Sequence, residues 1–206
     1  MNILIDELPQ EVNGKRINAD YRTMVLFELL MQDPDVLKEC KIPFAIDLLY
    51  AEPVDTVESG VDGLLWFYSC GEPQEPGKSD GGSSHERAYD FEQDAPYIYA
   101  AFLSTYGVDL NEIKYLHWWK FRAMLDSLPD NCKMSQIMGY RLTDTSKMKG
   151  EEKKYYERMK RLYKIKTVMR PEQLSLAVQE KQAKQRVADR FAAAEAWRRQ
   201  KEAADH

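Results

Sequence analysis

The chain has 206 residues, 44% hydrophobic and 31% charged, which suits one ordinary domain or two small ones with a real core under a heavily charged surface. Gly and Pro number only 10 and 9, too few for a disordered composition, and no stretch approaches the roughly 20 apolar residues that would span a bilayer. The N-terminus MNILIDELPQ has acids where a signal peptide carries bases and lacks an apolar core, so a cytoplasmic protein with no membrane partner is expected.

The net charge of -5 hides an asymmetry. Residues 1–110 carry 21 acids and 7 bases, a net of -14, whereas residues 111–206 carry 13 acids and 22 bases, a net of +9. Two unlike surfaces follow, suited to head-to-tail self-association or to two docking sites, unless the charges only solvate two helical faces.

In chain order, the first twenty residues suggest a small β hairpin. Ile3-Leu4-Ile5 is an apolar run, Val12 resumes it, and Asn13-Gly14 is a turn dipeptide leading to Arg16-Ile17. Asn18 and Asp20 are N-cap candidates for a helix from Tyr21, with Met24, Phe27 and Met31 as its apolar stripe. Asp33-Pro34 is expected to open a second short helix and Pro43 a third, ended by Pro53. A fourth runs from about Asp55 to Cys70.

Residues 71–86, GEPQEPGKSDGGSSHE, contain no apolar side chain and mark a boundary. A second helical block follows: Tyr89 to Tyr106 with Gly107 as its stop, then a helix capped by Asn111 and running to Leu128-Pro129. Helices near 132–141 and 150–166 complete it. From Pro171 the chain is rich in Ala, Gln, Glu, Lys and Arg, with a thin apolar stripe including Phe191 and Trp197. It is expected to be a projecting helix of roughly 50 Å that packs fully only on a partner or another copy. The fold class is thus all-α with a short N-terminal β hairpin and a long C-terminal helix. The divisions are 1–70, a linker or mobile loop at 71–88, a second helical block at 89–166, and the C-terminal helix at 167–206.

The sequence carries no recognisable catalytic or metal-binding pattern. Cys40, Cys70 and Cys132 are far apart and form no CxxC pair, so neither a zinc site nor a disulfide framework is supported. His85, His117 and His206 sit in no ligand pattern, and His117 beside Trp118-Trp119 suits a core or helix-surface position better than a base. GxGxxG, GxxxxGK[ST] and GxSxG are missing, and Asp90, Glu92 and Asp94 do not fit a calcium loop. A non-enzyme with no catalytic, cofactor-binding or metal-binding residue is expected.

Nucleic acid is the rival partner class. Residues 147–170 hold ten bases, Lys147, Lys149, Lys153, Lys154, Arg158, Lys160, Arg161, Lys164, Lys166 and Arg170, among Tyr155, Tyr156 and Tyr163. Against this, Tyr155, Met159 and Leu162 are spaced as a buried stripe, and the chain is acidic overall, which opposes long-range attraction to phosphate.

Three strings carry a family resemblance: LPQEVNGKRINADYRTMVLFELLMQD at 8–33, YDFEQDAPYIYAAFLSTYGVDL at 89–110 and LHWWKFRAMLDSLPDNCKMSQIMGYR at 116–141. With the weaker KYYERMKRLYKIK, the chain resembles the bacteriophage gene-product-fifteen family of tail-assembly chaperones, encoded next to the tape measure protein. The resemblance implies a chaperone that coats the tape measure protein until tail tube subunits displace it, in the host cell cytoplasm. Its partners would be the tape measure protein, the major tail tube protein and further copies of itself. Met24, Met31, Met124, Met134, Met138, Met148 and Met159 would supply adaptable surface where exposed. Trp118, Trp119, Phe121 and Met124, with Phe191 and Trp197, are the candidate partner-binding side chains. The alternative is a nucleic-acid-binding phage accessory protein using the basic helix at 147–170.

Overall fold

The computed structural model describes residues 2–72, 87–166 and, within the C-terminal segment, 185–186, 188–190 and 192. The fold is mainly helical with one short N-terminal hairpin, as the sequence predicts. The chain divides into two compact units. A hairpin unit comprises Pro9–Tyr68 and Val168–His206, and a four-helix unit comprises Met1–Leu8 and Ser69–Thr167.

In the hairpin unit, strands β1 (Glu11–Val12) and β2 (Lys15–Arg16) pair antiparallel across Asn13-Gly14. Both turn residues have positive φ, 53° and 72°, the geometry that an Asn-Gly hairpin turn requires. The segment after β2 pairs with the chain beyond the second helix: Asn18 N donates to Leu49 O and Ala51 N to Arg16 O. The expected apolar run Ile3-Leu4-Ile5 joins no strand. It forms a turn fastened by Asn2 and Asp6, and Leu4 and Ile5 are exposed.

Helix α1 (Tyr21–Gln32) starts at Asp20, whose carboxylate accepts from Arg22 N. Its buried face is Met24, Phe27 and Leu30, and Met31 is turned outward, one residue from the expected stripe. Two expected short helices merge into one. Asp33-Pro34 lies in the turn that follows α1, and α2 (Lys38–Leu49) carries Pro43 inside it. A proline more than a turn from the N-terminus forfeits a ladder bond, here the one to Glu39 O, and the buried Ala45, Ile46, Leu48 and Leu49 hold the helix regardless. Helix α3 (Val57–Tyr68) opens on Thr56, whose hydroxyl accepts from Ser59 N. It presses against the hairpin at Gly63, where a Cβ would run into Tyr50 Oη and Val12 Cγ1.

The four-helix unit comprises α4 (Ala95–Tyr106), α5 (Trp118–Asp126), α6 (Lys133–Leu142) and α7 (Gly150–Leu162). Gly107 ends α4 in the left-handed region, φ 66°, as expected of a C-terminal glycine. Two expected starts move inward. The helix expected from Tyr89 begins at Ala95, because Asp90 folds residues 90–94 into a turn by accepting from Glu92 N and Gln93 N. Asn111 caps nothing: it lies in a turn made by Asp109, and α5 begins only at Trp118. On α7 the face turned inward carries Tyr156 and Met159, while Tyr155 and Leu162 are exposed, so the expected stripe is rotated.

The boundary segment at 73–86 and most of the expected C-terminal helix lie outside the described residues. Those described within the latter are helical, and Arg186 there pairs with Asp35 at 2.6 Å.

Candidate partner-binding surface

In the string His117-Trp118-Trp119-Lys120-Phe121 every residue but Lys120 is buried. His117 is the N-cap of α5: buried, its Nδ1 accepts from Trp119 N at 3.1 Å. Trp118 and Phe121 stack at 5.8 Å, and Phe121 stacks on Phe102 of α4 at 4.9 Å. Trp118, Trp119 and Phe121 are all buried within the chain. Of the four candidates on α5, only Met124 is half-exposed, with its carbonyl held by the Tyr106 hydroxyl. Phe191 and Trp197 lie outside the described residues.

The string Asp90-Phe91-Glu92-Gln93-Asp94 is equally structural. Asp94, buried, forms an ion pair with buried Arg141 of α6, Nη2 to Oδ1 at 2.9 Å. The same guanidinium donates to Ala88 O and, through Nε, to Tyr163 O at 2.6 Å. Gln93 clasps the backbone of Lys166 from both sides, donating to its carbonyl and accepting from its amide. One turn therefore ties α4, the end of α6 and the end of α7 together. Arg141 was missed in the sequence, although it falls on the Met134-Ile137 stripe, where a charged residue is a signal of burial with a partner.

Two exposed surfaces stand out among the described residues of this unit. The first is the outer side of α4. Its sequence APYIYAAFLSTY contains no charge. Ile98, Ala101 and Phe102 face the core, and Pro96, Tyr97, Ala100, Leu103 and Ser104 face solvent. Pro96, Ala100 and Ser104 repeat at four-residue steps, a small-residue ridge flanked by Tyr97 and Leu103, 36% and 44% exposed. Water gains little from such a face, and a second helix can approach it closely.

The second is α7 with the side of α6 beside it. Tyr140 stacks on Tyr163 at 6.0 Å and shares a 3.0 Å hydroxyl contact with Tyr155, and Lys133 Nζ lies 4.8 Å from the Tyr163 ring centre. Lys154, Arg158 and Arg161 point away from the packed side of α7. Lys153 and Lys154 are partnered by Glu157 and Glu151 along the helix.

Among the described residues no group of three or more His, Cys, Asp or Glu is placed to hold a metal, and no helix is long and apolar enough to cross a membrane. Burial pushes the pKa of the Cys70 thiol up to about 11.

A mainly helical protein with a two-stranded N-terminal hairpin and a tyrosine-rich helical unit is thus defined. The chain belongs to the family described as Bacteriophage Gp15 protein, which it matches over residues 4–165, and it is accordingly a phage structural or assembly-related protein. No curated protein and no solved structure matches it.

Proposed function

We propose that this chain is a tail-assembly chaperone that binds the tape measure protein in the host cytoplasm and holds it until tail tube subunits take its place. The family supports a role in phage structure or assembly, and the uncharged outer face of α4 is the observation that carries the finer reading. A tape measure protein is long and helical, with apolar faces that aggregate unaided. An uncharged ridge of small residues between Tyr97 and Leu103 gives such a face a place to lie, as an amphipathic helix lies in a groove. Coating a long helix takes many copies, so self-association belongs to this reading. Co-expression with the tape measure protein tests it: helical tape measure fragments are expected to co-purify, and a clean pull-down without them, in cells that assemble tails, would count heavily against it.

The nucleic-acid reading draws on the exposed bases of α7. The glutamates at 151, 152 and 157 interrupt them and would repel a phosphate backbone, so protein remains the favoured partner.

A further inference from the structure

We propose that the cationic face of α7 receives the acidic face of α3 from a second copy of this chain. The inference deepens the chaperone reading, on which it rests for the expectation that copies associate, and it uses a surface separate from α4.

The two helices present complementary patterns. On α3 the packed side is Gly60, Gly63, Leu64 and Phe67, which leaves Glu58 and Asp62, four residues apart, on the opposite side with Trp66 one turn on. Trp66 is 38% exposed. On α7 Lys154, Arg158 and Arg161 stand opposite the packed side, flanked by Tyr155 and Leu162, 48% and 64% exposed. Laid antiparallel, the two rows run in step to within one residue: Glu58 meets Arg161, Asp62 meets Arg158, and Trp66 meets Tyr155 and the Lys154 ammonium, a ring-and-cation contact.

Electrostatics single out this occupant. Lys153 and Lys154 already have glutamate partners on α7, whereas Arg158 and Arg161 have no carboxylate partner among the described residues. Glu58 and Asp62 have no cation partner among them either. Each copy carries one stripe of each sign, so the contact is heterologous and every copy can give and receive. The remaining C-terminal residues, 171–206, are a poorer occupant for α7, because their seven bases and six acids offer a cationic surface no net negative charge.

Charge reversal tests this on the full chain. Light scattering of the wild type should show a mass that grows with concentration and falls as salt passes about 0.1 M, where charges are screened beyond roughly 10 Å. The variants E58R/D62R and R158E/R161E should each associate roughly a hundredfold more weakly, since like charges then face each other. A 1:1 mixture of the two, and a single chain carrying all four changes, should both regain wild-type association. Circular dichroism checks the helices, and the mid-helix single changes Asp62→Arg and Arg158→Glu repeat the test if a double variant unfolds. A wild type that stays monomeric, reversed variants that associate as before, or a mixture that regains nothing overturns the proposal. If helical tape measure fragments still bind a chain that never self-associates, this inference falls and the chaperone reading stands. If self-association follows the charge pattern and no fragment binds, the inference stands without it.

Discussion

Arg141 and Asp94, 47 residues apart, form a buried two-point ion pair that fastens the end of α6 to the start of α4. The Arg141 side chain is 6% exposed and that of Asp94 3%, so neither charge has water to fall back on. Replacing Arg141 by Leu leaves the buried Asp94 carboxylate without its cation, with only Asp90 N still donating to it, and frees Tyr163 O and Ala88 O. A loss of about 3–5 kcal/mol is expected in denaturant unfolding. Removing both charges, as R141L/D94N, should cost less than the sum of the two single changes. A single change costing under about 1 kcal/mol would show that the pair does not hold the unit together.

Two helical glycines should respond to alanine in opposite directions. Alanine at Gly63 gains helix propensity but drives its Cβ against Tyr50 Oη and Val12 Cγ1, and a net loss of about 1–3 kcal/mol is expected. At Gly139 of α6 a Cβ meets nothing within 4 Å, so alanine should stabilise by up to about 1 kcal/mol. Thermal unfolding of the two variants checks the signs, and a stabilised Gly63→Ala would mean that α3 does not pack on the hairpin as described.

What the sequence made legible was local. Asn13-Gly14, Asp20 and Gly107 each specify their own turn, cap or stop through their own backbone and side chain, and each does so in the structure. The misreadings came where a neighbour decides. Pro43 would start an isolated helix, yet tertiary burial of Ala45 and Leu49 carries α2 through it. Asn111 is as good a cap as His117 in isolation, but Asp109 claims that backbone first. The site is the least legible part. Trp118, Trp119 and Phe121 are conspicuous in the sequence because they are large and aromatic, and the same properties favour their burial in the folded chain. The outer face of α4 carries no conspicuous residue, and only its freedom from charge marks it.

Nucleic-acid binding by the basic stretch at 147–170 should be weak and steeply dependent on salt. Two of its lysines are committed to glutamates along α7, and the chain is acidic overall. Fluorescence anisotropy with single-stranded DNA and RNA measures it. Sub-micromolar affinity near physiological salt, lost on replacing Lys153, Lys154, Arg158 and Arg161, would overturn the ranking of partners.

Cys70 should be a slow thiol. Burial disfavours its thiolate, and with the pKa near 11 the reactive fraction at pH 8 is about a hundredfold below that of an ordinary thiol. Its alkylation rate should keep rising up to about pH 11 in the folded protein. Labelling followed by peptide mass analysis checks this. Rapid modification of Cys70 at pH 8 would place it in a more open setting than the structure gives it.

The central claim is that an apolar helix of the tape measure protein lies on the uncharged face of α4. Calorimetric titration of tape measure helical segments into wild type and into Ala100→Glu and Leu103→Glu measures it most directly. Both positions face solvent, so the fold should persist by circular dichroism. Binding with a negative heat-capacity change is expected for the wild type, because apolar surface is buried. Each glutamate should weaken it at least about tenfold, since a carboxylate must then be desolvated against an apolar face. Undiminished binding in both folded variants would contradict the claim and move the docking surface elsewhere.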